Sequence, residues 1–245
     1  MYTDLAKWFH LITAPEEYAE EAAFYFSTIL GASTEKPRTL LELGSGGGNN
    51  AFHYKRFVTP TLTDLSPQML ELSQQINPAC EHIQGDMRTL RLGRLFDAVF
   101  AQDALCYMTT QDDLRQAMQT AFVHLRPGGV ALFAPDHIRE TFAAAESSDH
   151  GGNDGDGRAA RYLEWTFDPD PSDTTYVVEY VYLLHEAGKP TQSAFDQHVC
   201  GLFSLADWLR LLAEVGFRKC AVKPFEHSEV PTGSLEVFVA SKAAC

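Results

Sequence analysis

Residues 40–50 read LLELGSGGGNN: an apolar run stops at an acid, and four glycines then fall within five positions. Glycine inside a strand or helix costs roughly 0.5–1 kcal/mol relative to alanine. Such a run is kept where the backbone must turn sharply or where something approaches it closely. A strand that breaks into glycines and restarts as a helix is also the opening unit of nucleotide-binding α/β folds. The pattern G-x-G-x-x-G fits incompletely here. Gly44 and Gly46 fill two places and Asn49 the third, whereas Gly46, Gly48 and Ala51 satisfy its relaxed form. Alone, the stretch admits both a plain turn with positive φ and a ligand cradle.

The surrounding pattern narrows the choice. RTLLEL (38–43), PTLTD (60–64), CEHIQGD (80–86), FDAVFAQD (96–103) and VALFAPD (130–136) read as strands. Helices are predicted over 49–57, over 66–76 with Ser66 as cap and Pro67 in first position, and over 110–125. This alternation implies a parallel sheet with helices on both faces. Residues 15–30 (PEEYAEEAAFYFSTIL) predict one amphipathic helix with an acidic first turn, and ESSDHGGNDGDGR (146–158) a mobile polar loop. Three aromatic and β-branched segments follow without a helix between them, which predicts an antiparallel insertion. SLADWLRLLAEVGF (204–217) is a helix with Ser204 at its cap and Gly216 at its end, and a final strand pair closes the chain.

Acids mark the strand ends. Asp64 closes the second strand, where a carboxylate can accept from both ribose hydroxyls, and Asp86 follows the third, beside Met87. Either could instead cap a turn. Together with the glycines they lie on one edge of the sheet, where open α/β folds bind ligands.

LELGSGGG, TDLSPQML, GDM, FDAVFAQDALCYM and HLRPGGVALFAPD, in this order and spacing, resemble the class I S-adenosylmethionine-dependent methyltransferases over residues 38–136. The resemblance implies a Rossmann-like doubly wound sheet of about seven strands with a reversed last strand, and an antiparallel β insertion after the fifth. It implies S-adenosyl-L-methionine as cofactor. Gly44, Ser45, Gly46 and Gly48 would face its methionyl part, and Asp64, Leu65 and Met69 its ribose. Asp86 and Met87 would hold adenine, and Gln102 and Asp103 would line the cleft near the sulfonium. More narrowly, EYAEEA, YVVEYVYLL and QHVCGLFSLADWLRLLAEVGF resemble small bacterial N,N-dimethyltransferases of amino-sugar nucleotides. Those enzymes carry a PWW segment after the motif strand where this chain has PDHIRETF. A single domain over 1–245 is expected, with an N-terminal helical lid (1–30) and the insertion (140–203) as substrate cover.

Methyl transfer from a sulfonium is an in-line displacement dominated by alignment. A neutral amine needs little proton management, and a hydroxyl needs a base. The candidates are His137, His198 and Tyr107, with Asp103 as proton acceptor or cofactor contact. Trp8, Tyr162 and Trp165 are candidate substrate contacts, although a packing role serves each equally well. DPDPSD (168–173) reads as a surface turn rather than a calcium loop.

Net charge is −14, from 33 acidic and 19 basic residues, which disfavours nucleic-acid and membrane partners. A small-molecule methyl acceptor is expected, with amine preferred over oxygen. The chain would be a cytoplasmic monomer or homodimer. Five scattered cysteines without CxxC spacing predict reduced thiols and no metal site. A nicotinamide-dependent oxidoreductase and a non-catalytic S-adenosylmethionine-binding protein are the alternatives.

Overall fold

The computed structural model describes residues 2, 4–228, 233 and 235–244, with the side chains of 146–149 excepted. Cys245 and Ser234, the latter within the expected final strand pair, lie outside the described residues.

The N-terminal segment holds a short helix, α1 (Phe9–Ile12), and a longer one, α2 (Ala19–Ala32). The single helix expected over 15–30 is divided. Pro15–Tyr18 forms a 3-10 turn with the proline at its start, and regular helix begins only at Ala19. Next come β1 (Thr39–Leu43), α3 (Asn49–Tyr54), β2 (Thr59–Asp64), α4 (Pro67–Ile76) and β3 (Glu81–Gln84). They are followed by β4 (Phe96–Gln102), α5 (Gln111–His124) and β5 (Leu125–Ala134). After the insertion, α6 (Leu205–Val215) leads into β10 (Arg218–Pro224) and β11 (Glu236–Ser241). The main sheet is seven-stranded, in the order β10-β11-β5-β4-β1-β2-β3. Strands β1 to β5 pair in parallel, and β11 runs antiparallel to both β5 and β10.

Successive residues of the central strands bury on opposite faces, which is why these strands read as unbroken apolar runs. Leu41, Leu43, Val99, Ala101 and Phe133 enter one core with Trp208 and Leu212 of α6. Leu40, Ala98, Phe100 and Leu132 enter the other with Tyr25, Phe26 and Ile29 of α2. Helix α2 is therefore part of the core, and only the segment before it is left to lie over the sheet edge. Local signals fix the other helices. Ser66 caps α4, its Oγ accepting from the Met69 amide at 3.3 Å. Ser204 and Asp207 form a reciprocal capping box on α6, which ends at Gly216 with φ of 112°.

The insertion comprises β6 (Ala145–His150), β7 (Arg158–Phe167), β8 (Thr175–Glu186) and β9 (Gln192–Gly201) in a separate antiparallel sheet. The expected mobile loop at 146–158 is corrected in part: its first residues are β6, paired with β7, and Asn153 bridges Ala159. An edge strand is held by main-chain hydrogen bonds, so polar composition does not prevent it. DPDPSD is a surface turn, in which Asp168, Asp170 and Asp173 accept from amides two residues on. Among the described residues no helix is long and apolar enough to cross a membrane.

Candidate active site

Strand order reverses between β1 and β4, and the crevice there receives the carboxyl ends of the parallel strands. Gly44, Gly46 and Gly48 all take positive φ, at 74°, 51° and 79°. Packing alone requires two of them. A Cβ on Gly44 would lie 2.3 Å from Ala104 Cβ, and one on Gly48 2.2 Å from Ser73 Oγ. At Gly46 the nearest atom would be Met69 Cε, at 3.8 Å, so this position alone of the three is open. The turn is tied to β2, because the Gly44 and Ser45 amides both donate to Thr63 O at 2.8 Å.

Asp64 completes that tie. Its Oδ2 accepts from the Gly46 amide and its Oδ1 from the Ser66 amide, each at 2.8 Å. Burial pushes its carboxyl above the ordinary value, and the amide bonds partly offset this. Leu65 beside it is 65% exposed, whereas Met69 is fully buried under the turn. Asp86 is engaged by a residue the sequence reading did not anticipate. Arg88 grips both of its oxygens and also reaches Asp113 at 3.0 Å, holding the Asp86 carboxyl below its ordinary value. Met87 is buried against the position of Gly44.

The cleft floor gathers carboxyl groups. Asp103, just beyond β4, is surrounded by protein yet open to solvent, as a floor residue must be. Asp136, just beyond β5, is hydrogen-bonded to it, and burial and the Asp103 charge hold Asp136 far above the ordinary carboxylate value. Glu21 of α2 joins them, raised to about 8 by burial and by Asp103. The Gln102 side chain bonds both Glu21 and Asp103, and Asn50 Nδ2 donates to Glu21 at 2.9 Å and to Gln102. Glu21, Asn50 and Asp136 were not read from the sequence as site residues. Asp136 had a signal, being one more acid at a strand end on the same edge. Glu21 lay within EYAEEA, which carried a family resemblance but did not distinguish it from Glu17 and Glu20.

Above the floor, His198 of β9 lies with Nδ1 2.5 Å from the Tyr107 hydroxyl and Nε2 3.2 Å from Asp196. Burial lowers its pKa. The ring of Tyr2 packs edge-on against both Tyr107 and His198. His137 is boxed by Phe142 and Tyr176, its Nδ1 buried without a partner and its pKa lowered by burial. Strand alternation divides the insertion aromatics. Tyr162, Tyr180 and Tyr182 share the inner face. Trp165 stands on the outer face, 58% exposed, which removes it from the cleft. Trp8 is also corrected: at 3% exposure it is packed with Ala160, Tyr182 and Leu184, a fixed joint between the N-terminal segment and the insertion. His10, two residues on, reaches Gly47 O at 3.2 Å.

Three buried polar atoms around the glycine turn have no protein partner: Ser45 Oγ, Asn49 Oδ1 and Asn50 Oδ1. Buried polar groups are almost always paired, so an orphan group clustered beside an open Gly46 marks a ligand position. The set suits the ammonium and carboxylate of an amino-acid tail, and Asp64 suits a sugar diol. These residues therefore fit S-adenosylmethionine.

Comparisons with known proteins agree. Residues 40–129 match the family model described as a methyltransferase domain. A curated relative from Streptomyces venezuelae, dTDP-3-amino-3,4,6-trideoxy-alpha-D-glucopyranose N,N-dimethyltransferase, is 29% identical over 83% of this chain and 84% of its own. The crystal structure of Streptomyces venezuelae DesVI superposes with a TM-score of 0.82 at 27% identity, covering 98% of each chain. CalS10, an amino pentose methyltransferase from Micromonospora echinaspora solved with S-adenosylmethionine bound, shares the fold at 23% identity and a TM-score of 0.76 over 92% of each chain. The order of glycine turn, strand-end acids and reversed last strand thus accords with the methyltransferase domain matched over residues 40–129, and the chain is similar over most of its length to these amino-sugar methyltransferases.

Proposed function

We propose that this enzyme methylates the amino nitrogen of a deoxysugar carried on a nucleoside diphosphate. When bound, S-adenosylmethionine supplies an activated methyl group on a cationic sulfur. In this reading Ser45, Asn49 and Asn50 hold its amino-acid tail beside Gly46. Asp64 accepts from the ribose, with Leu65 at the rim and Met69 beneath. Met87 packs on the adenine, and Asp86, already fixed by Arg88, offers its remaining lone pairs to the base. Residues 4–18 and the insertion form a roof that excludes water.

The observation that carries the choice of nitrogen is the floor of Glu21, Asp103 and Asp136. An acidic floor attracts an amine, which needs alignment more than a strong base. Neither candidate histidine has the setting of a base for a hydroxyl acceptor. His137 is enclosed by aromatic rings, and His198 is committed to Tyr107 and Asp196. We assign Tyr107 and His198 to the acceptor's sugar ring rather than to proton transfer. Similarity to the Streptomyces venezuelae relative runs through most of the chain, which supports a nucleotide-linked amino sugar as acceptor.

The test is mass spectrometry after incubation with cofactor and either a dTDP-linked 3-amino-3,6-dideoxyglucose or its 3-hydroxy counterpart. One and then two methyl additions on the amine, and none on the alcohol, are expected. Methylation of the alcohol alone would overturn the reading.

A further inference from the structure

We infer that Asn77, 29 residues beyond Gly48, is the positioning residue for the second half of the glycine turn and thereby for the cofactor's amino-acid tail. Helix α4 stops before it because Pro78 follows, and proline disfavours helical geometry in the residue that precedes it. Asn77 accordingly has φ of −126° and ψ of 51°. Its amide donates to Ser73 O at 2.8 Å, and its carbonyl accepts from the Cys80 amide at 3.0 Å. The backbone is thus fixed without help from the side chain, which is completely buried and turns to α3 instead.

There Nδ2 donates to Gly48 O at 2.9 Å, and Oδ1 accepts from Lys55 Nζ at 3.0 Å. Gly48 and Lys55 flank α3 at its start and its end, so one amide clasps the whole helix. Gly48 O can only accept and the Lys55 ammonium can only donate, which leaves the amide a single orientation that satisfies both. Aspartate has no donor for Gly48, and an apolar residue of the same size has neither group. Lys55 Nζ also donates to the carbonyl of Ile76, the final residue of α4, at 2.5 Å, and so ties the two helix ends together.

The glycine turn is held in two halves. Gly44, Ser45 and Gly46 are tied to β2, through Thr63 O and the Asp64 carboxylate. The Gly48 carbonyl is tied to Asn77, in addition to accepting from the Phe52 amide within α3. Asn49 and Asn50, which carry two of the three unpartnered polar atoms around the turn, follow Gly48 directly. Asp64, assigned to the ribose, lies on the other half. Loss of the Asn77 donor therefore shifts the groups assigned to the tail and leaves the ribose and base contacts in place. The inference rests on that assignment of the tail and on no choice of methyl acceptor.

Calorimetric titration with S-adenosylhomocysteine and with 5′-methylthioadenosine tests it. The two ligands share the nucleoside and the sulfur, and only the first carries the amino-acid tail. The wild type should bind S-adenosylhomocysteine more tightly. Asn77→Asp keeps the volume and the bond from Lys55, whose ammonium holds the new carboxyl ionised, but sets an acceptor against Gly48 O. It should weaken S-adenosylhomocysteine about tenfold, the order of one or two lost hydrogen bonds, and leave 5′-methylthioadenosine unchanged. An equal loss for both ligands, or a loss for neither, would reduce Asn77 to a packing residue and overturn the inference. Should the variant not fold, Lys55→Met removes the donor that orients the amide and decides in the same way: the ratio of the two affinities must fall, and a ratio that does not fall refutes the role of Asn77. A wild type that binds both ligands equally would instead overturn the assignment of Ser45, Asn49 and Asn50 to the tail, and the inference with it.

Discussion

Replacing Glu42 by glutamine isolates one buried titration. Glu42 lies near the carboxyl end of β1, 4% exposed, with the Tyr54 hydroxyl as its side-chain partner. Burial raises its carboxyl from an ordinary 4.5 to about 8. Between these values the unfolded chain has lost the proton and the folded chain has kept it. Stability therefore falls as pH rises through this window, fully present below 4.5 and fully lost above about 8. Integrating the two titrations between pH 6 and pH 9 gives about 2–3 kcal/mol lost by this group. For a chain of this size that is roughly 5–10 °C in Tm. Glutamine keeps the shape and an acceptor for Tyr54 but cannot ionise. Thermal melts of wild type and Glu42→Gln at both pH values give the answer by difference, which cancels the contribution of Glu21 and Asp136. The wild type should lose stability more steeply than the variant. Parallel slopes would show that Glu42 is not buried neutral, and the account of β1 would be wrong.

Asp64→Ala should weaken S-adenosylhomocysteine by about 1–3 kcal/mol in calorimetry, since it frees the Gly46 amide and removes the carboxylate proposed to accept from the diol; unchanged affinity refutes the assignment. Gly48→Ala should cost about 2–4 kcal/mol in denaturant unfolding, from a φ of 79° and a Cβ 2.2 Å from Ser73 Oγ. Trp8→Ala should cost about 3–5 kcal/mol by leaving a cavity. Retained stability with a raised KM for the acceptor would instead restore Trp8 as a substrate contact.

The central sheet was legible because both its faces are buried and its turns are chemically marked. Ser66, Ser204 and Gly216 announced their helix ends by local hydrogen-bonding needs. The expected cofactor edge was drawn for a related reason: Gly44, Asp64 and Asp103 recur at strand ends, a position set by topology rather than by side-chain chemistry. What escaped depended on long-range contact. Trp8 looked like a lid aromatic because nothing near residue 8 reveals Ala160 or Leu184. Trp165 and Tyr162 differ only in the parity of their strand positions, and that parity is fixed by the register with β8. Strand β6 escaped because its polar residues carry no alternation. The Arg88 grip on Asp86 is local in sequence, yet arginine after GDM has no pattern that distinguishes it from a solvated residue.

The joint between the first residues and the insertion has a consequence for biosynthesis. Trp8 and His10 leave the ribosome before their partners, which are Gly47, Ala160, Tyr182 and Leu184. The segment therefore waits, undocked, until most of the polypeptide has been translated, and the parallel sheet beneath it can assemble in the meantime. The N-terminal segment can dock only once β8 has emerged, so nascent chains truncated before β8 would carry the parallel strands β1 to β5 with this segment unpaired.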